Sequence, residues 1–439
     1  MSQFRFARLA LMLAAIGLNA APALMHGAHA QDKNAQAAAA AAQPKPDTVR
    51  PELFKLLDPA QVKPLMDAKN YAEVQNRITQ AEAFPDKTPY ETYVMNRMKL
   101  SLATAKGDDQ GSIAALEAIV ASGKLPDADK PQFVQALGGM YYNAKNYPKA
   151  IEWYKRFQTE YPNQADAVTA PMVRSYYLSG DYANALKLLR PQLEATVKAG
   201  KTPSNEDLRL YASAANKVKD DAAYLYGVEQ MIVYYPNDEV WMDAIYRGVV
   251  RKPGFQEATN YTDVLRLEFA AVKVMTPEMY TELAELALKD GFPTEAKKVV
   301  DAGYAAGVLG TGGSASAHAK LRDRATKEAA NDAKNIASGE ASATKSKTGA
   351  GLVNLGWAYV TMDQFDKGIG FIEQGIAKGG LKQPDEAKLR LGLAYLRAGQ
   401  KDKAIATFQT VKAGGGLSDI AKYATVLANH PNPGGANAK

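Results

Sequence analysis

Imidazole is the scarcest reactive group in this chain: among 439 residues there are four histidines, His26, His29, His318 and His430. A nucleophilic triad or a histidine-ligated zinc needs at least one of them held against a carboxylate or a second ligand. No cysteine is present to share that work, and no HExxH spacing occurs. His318 lies in a Gly/Ser-rich stretch and His430 beside the C-terminal tail. Asp108-Asp109 and Asp220-Asp221 have the composition of a general acid paired with a base. Both pairs fall at turns between apolar runs, where a carboxylate caps the helix that follows. The GTGG at 310–313 lacks the lysine of a phosphate loop and leads to no strand. These residues assign no catalytic centre, no metal site and no cofactor, and the chain is expected not to be an enzyme.

Composition narrows the classes further. The formal net charge of +6 is spread along the chain without a basic cluster, so no nucleic-acid groove is expected. The opening MSQFRFARLALMLAAIGLNAAPALMHGAHAQD has Arg5 and Arg8, an apolar run from Leu9 to Leu18, and Ala28-His29-Ala30 as a small-residue exit. This reads as a bacterial signal peptide over 1–30, cleaved after Ala30, and predicts a periplasmic protein, with full secretion as the alternative. The run is too short for a permanent span, and no stable membrane span is expected after its removal. Residues 31–50, QDKNAQAAAAAAQPKPDTVR, are expected to form a disordered Ala/Pro-rich tether. Without cysteine, the exported chain relies on packing alone.

The elements that must do that packing are visible as a spacing. From Gly138, Tyr141 lies three residues on, Ala150 twelve on and Tyr154 sixteen on. Val173 leads to Tyr176, Ala185 and Leu189, and Ala284 to Ala287, Ala296 and Val300, by the same offsets. Gly356 leads to Tyr359, Gly368 and Ile372, and Gly392 to Tyr395, Ala404 and Phe408. An offset of three or four puts two side chains on one helical face. Each segment is therefore two helices, and the turn signals AKNYP, LSGDY, KDGFP, TMDQF and RAGQK separate them. Gly or Ala at the anchor and at the twelfth position lets the helix backbones approach, and the larger residues fill the space beside that contact. A lone hairpin cannot bury its apolar stripe, so neighbours must stack.

The pattern resembles the tetratricopeptide repeat, a helical hairpin of about 34 residues. The best match, 131–164, carries Leu137, Gly138, Tyr141, Tyr147, Ala150, Tyr154, Phe157 and Pro162. The resemblance implies an all-α fold: an α-solenoid of stacked antiparallel hairpins in a right-handed superhelix. The expected organisation is an N-terminal array over 51–309, a Gly/Ser/Lys-rich insertion or linker with a polar helix over 310–348, a C-terminal pair over 349–430, and a disordered tail over 431–439. Two weaker regions stand out. Tyr224 occupies a position that wants a small residue, so its hairpin is expected to be distorted or misregistered, and 240–275 reads as helical without the template.

In the family the first helix of each hairpin lines a concave groove. Positions one beyond the template stripe select Gln135, Tyr142, Asn143, Arg174 and Tyr177, and in the C-terminal pair Asn354, Trp357, Arg390 and Arg397. Some members grip a peptide carboxylate with Lys and Asn on successive first helices. Here Gly139, Pro171 and Leu393 stand on comparable surfaces, so that specificity is not carried over. The resemblance implies a non-catalytic scaffold that binds protein or peptide partners, in envelope assembly or secretion. The alternative is an accessory protein for exported polysaccharide or peptidoglycan, with Trp357, Tyr142 and Tyr177 as stacking platforms for glycan.

Overall fold

The computed structural model describes residues 47–433 and 435, so the expected signal peptide over 1–30, most of the expected tether over 31–50 and residues 434 and 436–439 of the expected tail lie outside the described residues. All regular elements among the described residues are helical. The chain divides into two compact units between Leu188 and Leu189.

The first unit runs through α1 (Pro51–Leu57), α2 (Pro59–Asp67), α3 (Tyr71–Glu82), α4 (Pro89–Lys106), α5 (Asp109–Ala121), α6 (Lys130–Asn143), α7 (Tyr147–Glu160) and α8 (Thr169–Leu178). The unit boundary falls inside α9 (Tyr182–Lys198). α4 packs on α5 and α6 on α7 as hairpins, and α5 against α6 and α7 against α8 join them into a stack. Its core gathers Leu53, Leu100, Leu116 and Leu137, none of them measurably exposed. Pro162 opens a short 3-10 stretch, Pro162–Val168, ahead of α8.

The tether's C-terminal end is anchored, contrary to the expectation for 31–50. The Arg50 guanidinium donates to Glu91 at 2.8 and 3.0 Å, and Lys124 reaches Asp47 at 2.9 Å. Glu91 also closes a capping box with Thr88 at the start of α4. One carboxylate thus accepts from a helix cap and from the incoming chain, and the Arg50 hydrogen bond holds the Glu91 carboxyl down at about 2.

Every recognised hairpin turns the same way. A residue of positive φ ends the first helix, and the next residue starts the second: Lys69-Asn70, Gly107-Asp108, Lys145-Asn146, Gly180-Asp181, Lys219-Asp220, Gly291-Phe292, Asp363-Gln364 and Gly399-Gln400. Asn70, Asp108, Asn146 and Asp220 accept hydrogen bonds from backbone N–H groups three residues on. These are helix caps, each worth about 1 kcal/mol. Asp108 and Asp220 are therefore spent on folding and form no acid–base pair.

The second unit continues with α10 (Asn205–Val218), α11 (Asp221–Tyr234), α12 (Asp238–Ile245) and α13 (Glu257–Ala271). α14 (Pro277–Lys289) and α15 (Pro293–Ala305) follow, then α16 (Ala315–Asn335), α17 (Gly339–Lys345), α18 (Ala350–Thr361), α19 (Phe365–Lys378), α20 (Pro384–Arg397), α21 (Lys401–Phe408) and α22 (Leu417–Asn429). The α10–α11 hairpin keeps its turn and moves its close contact three residues on from Tyr224, a shift of register. Gly227 supplies the slim contact against Tyr211 and Ala212, while Tyr224 turns toward α12 and donates to Asp243 at 2.6 Å. α12 runs into a π-helical turn, Tyr246–Val250. Its extra residue breaks the three–four spacing, which is why 240–275 shows no template.

α16 lies along α14 and α15 and buries Leu321, Ala325 and Ala329, a stripe at four-residue spacing that a polar composition conceals. His318 is buried as well, and its Nδ1 accepts from the Gly310 backbone N–H at 3.2 Å, a structural role within the glycine-rich turn. The tail is not free at its start. Asn432 is buried and donates to Asp238 at 2.6 Å, and that carboxylate also accepts from the backbone of Lys273 and Val274.

The last helix of this unit returns to its earlier helices. Lys252 pairs with Asp419, Lys422 with Glu229, and Asn260 donates to the Gly415 carbonyl at 2.7 Å. A Cβ on Gly248 would meet the Tyr423 hydroxyl at 2.1 Å, so the π turn offers a bare backbone to α22. Among the described residues no helix is long and apolar enough to cross a membrane.

Candidate partner-binding surfaces

The template positions form hairpin interiors. Ala150, Ala185, Ala284, Ala296 and Ala404 are at most 1% exposed, and Tyr154, Tyr176, Tyr359, Tyr395 and Phe408 are buried with them. Gly138 and Gly392 make room for a ring: a Cβ would come within 2.3 Å of Tyr154 and 2.4 Å of Phe408. Gly356 and Gly368 face each other backbone to backbone, where a Cβ would come within 2.5–2.6 Å of the opposing carbonyl oxygen. Three template tyrosines also tie their hairpins to the element before. Tyr141 donates to Glu117 at 2.7 Å, Tyr395 to Glu373 and Tyr359 to Glu340. Core packing and stacking therefore account for these aromatics.

In the first unit the residues one step beyond that stripe stay accessible. Gln135 and Asn143 are exposed on α6. Tyr142 is half-buried and meets Tyr147 edge-on at 5.7 Å, and on α8 Tyr177 meets Tyr182 at 5.2 Å in the same way. Arg174 is half-buried, and Leu178 at the end of α8 is 48% exposed. The edge contacts fix each tyrosine's orientation while leaving part of the ring in solvent.

In the second unit the corresponding positions are drawn inward. Asn354 remains exposed and accepts from Arg390 at 3.0 Å, and Arg390 also pairs with Glu386. Trp357 is 1% exposed, so it is no stacking platform, and the glycan reading loses its main residue. Its indole N–H donates to Glu295 at 3.2 Å. The Arg397 guanidinium lies 5.7 Å from the Trp357 ring centre, and burial pushes it below its ordinary value. Sequence reasoning selected these four residues but missed what they meet. Arg266 on α13 donates to Glu295 at 2.8–3.3 Å and to Asp263 at 2.9 Å. Its guanidinium lies 5.2 Å from the Trp357 ring centre and 5.6 Å from that of Phe292. Burial raises the Glu295 carboxyl, but the Arg266 charge and hydrogen bonds outweigh that and hold it below its ordinary value. The one signal in the sequence was the pair of opposite charges, Asp263 and Arg266, inside the apolar run VLRLEF and its approach.

Another shifted group is Glu268, also on α13. Burial alone raises its carboxyl to about 8, and its Oε2 has no hydrogen-bond partner. The described residues bring no three of His, Asp and Glu together as a metal site would.

The tetratricopeptide-repeat model matches two stretches, 101–165 and 353–417. Over those two stretches the sequence is similar to the tetratricopeptide repeat. One matched stretch contains the α6–α7 hairpin and the other α20–α21, two hairpins in which the template glycine admits an aromatic ring. No curated protein matches the chain. Solved structures similar to it include the TPR2AB domain of yeast Sti1 in a pHSP90 complex, at 14% identity, covering 69% of this chain and 99% of that one, with a TM-score of 0.22. The P58(IPK) TPR domain is also 14% identical, with coverage of 86% and 97% and a TM-score of 0.21. Naa15/Naa10 bound to HypK-THB is 11% identical, with coverage of 84% and 70% and a TM-score of 0.25. Scores this low carry no argument about shape or partner.

Proposed function

We propose that this protein is an exported, non-catalytic scaffold that binds protein or peptide segments on the first-helix faces of its repeats, in envelope assembly or secretion. The observation that carries the reading is the accessible face of the first unit. Gln135, Tyr142, Asn143, Arg174 and Tyr177 combine exposed hydrogen-bonding groups with oriented aromatic edges, and Leu178 adds an exposed apolar anchor. Aromatic and Arg anchors carry most of the affinity in protein interfaces. A stack of rigid hairpins holds them at fixed spacing without ordering a loop on binding. Export rests on the N-terminal pattern of residues 1–30, and sequencing the mature N-terminus should give Gln31 first.

Crosslinking in envelope extract followed by mass spectrometry tests the binding reading. The wild-type chain should recover protein partners, and Tyr142→Ala/Tyr177→Ala should lower their yield about tenfold or more. An unchanged yield in the folded double variant would remove this face from consideration.

A further inference from the structure

The ion set around Arg266 is built unlike the surface ion pairs of the chain. Both carboxylates and the guanidinium are buried, with side-chain exposures of 4% for Arg266, 2% for Asp263 and 8% for Glu295. Glu295 accepts through both oxygens, from Arg266 Nε at 3.0 Å and Nη2 at 2.8 Å, which is the forked geometry that a planar guanidinium alone can match. Trp357 and Phe292 supply aromatic faces at distances that attract a cation. The Trp357 N–H fixes the Glu295 carboxylate from a third direction. Three separate elements contribute: α15 gives Glu295, the turn before it gives Phe292, and α18 gives Trp357. Arg266 itself arrives from α13, and Asp263 comes with it on the same helix.

This arrangement has the parts of a recognition site for an arginyl side chain, with a forked carboxylate, two ring faces and a donor that orients the carboxylate. It also lies where the repeat resemblance expected a partner-binding face, since Trp357 and its neighbours Arg390 and Arg397 were the residues selected for that face. We propose that Glu295, Trp357 and Phe292 form a guanidinium-binding cage that the chain fills with its own Arg266, closing the inner face of the C-terminal repeats to outside partners. The class of ligand is an arginine side chain, and its occupant is supplied in cis. The inference stands apart from the scaffold reading, which concerns the first unit and survives if the cage does not.

Chemical rescue tests it. Arg266→Ala empties the cage and removes the guanidinium hydrogen-bonded to Glu295. The full-length variant is diluted from urea into methylguanidinium, or into methylammonium at equal ionic strength, and the refolded fraction is read from hydrogen exchange of α13, α15 and α18. A cage gives a saturable gain with methylguanidinium, about tenfold in the folding equilibrium when the ligand is at ten times its dissociation constant. The gain should vanish in Arg266→Ala/Glu295→Gln, and wild type, already filled, should respond alike to both cations. The readout is the same whether or not Arg266→Ala folds unaided. Equal effects of the two cations, no refolding with either, or a gain that persists in the double variant would each overturn the proposal and leave Arg266 a packing element only.

Discussion

The α6–α7 and α18–α19 hairpins obey one spacing and solve it by different physics. In the first, Gly138 removes a Cβ so that the Tyr154 ring can lie across the helix. In the second, Gly356 and Gly368 remove two, and backbone meets backbone. A ring can retreat by turning about its χ angles, whereas a carbonyl oxygen can retreat only if the helix moves. Small residues at the same template position therefore carry unequal constraints. The same two regions also differ on the first-helix face. Around α6 it remains in solvent, and around α18 Arg266 covers it through Trp357.

The largest effect should come from Gly356→Leu, which drives a side chain into the Gly368 carbonyl and Ile372. A loss of about 4 kcal/mol or more, or failure of the second unit to fold, is expected in urea denaturation. Next comes pH. Buried Glu268 titrates near 8 against 4.5 for an ordinary glutamate, so the folded chain keeps a proton that the unfolded chain has released. Stability from this group is full below about pH 4.5 and is lost as pH rises toward 8, on the order of a few kcal/mol. In the first unit Glu91, held near 2 by Arg50, has the opposite sign: its contribution is present above about 4.5 and disappears as pH falls toward 2. Urea midpoints across pH 2–9, assigned to each unit by hydrogen exchange, should show two opposed slopes, with Glu268→Gln removing one and Glu91→Gln the other. A common slope in both units would break the contrast.

Gly138→Ala should cost less than the Gly356 change, about 2 kcal/mol, because Tyr154 can shift. An equal loss at both sites would mean that ring and carbonyl resist alike. The smallest change is a gain. Lys145 holds a left-handed backbone at φ 59°, and Lys145→Gly should raise stability by about 1 kcal/mol, read from the thermal midpoint.

Hairpins, turns and close-approach glycines were legible because each is written within a few dozen residues and in residue types that few other constraints favour. Tyr224 showed a shift of register but not its cause, because spacing names a position but not the neighbour, and here the neighbour is Asp243 on the next helix. Trp357 misled for a stronger reason. Its offset fits a groove residue, yet its hydrogen-bond partner Glu295 lies 62 residues away. Arg266, Glu295 and Trp357 meet only because three elements without sequence proximity converge, and no local periodicity records that. Asn432 is the same case, hidden in a segment whose Pro/Gly composition reads as free chain.

The return of α22 to the helices near Glu229 and Gly248 has a consequence for how the second unit comes into being. Repeat stacks built from nearest-neighbour contacts can start folding anywhere and spread outward. Here the sealing contacts join residues 155 to 194 positions apart. Pairings so distant raise contact order and slow the rate-determining step. The seal also cannot form until α22 has been synthesised, so the bare backbone at Gly248 must wait, uncovered, for that helix.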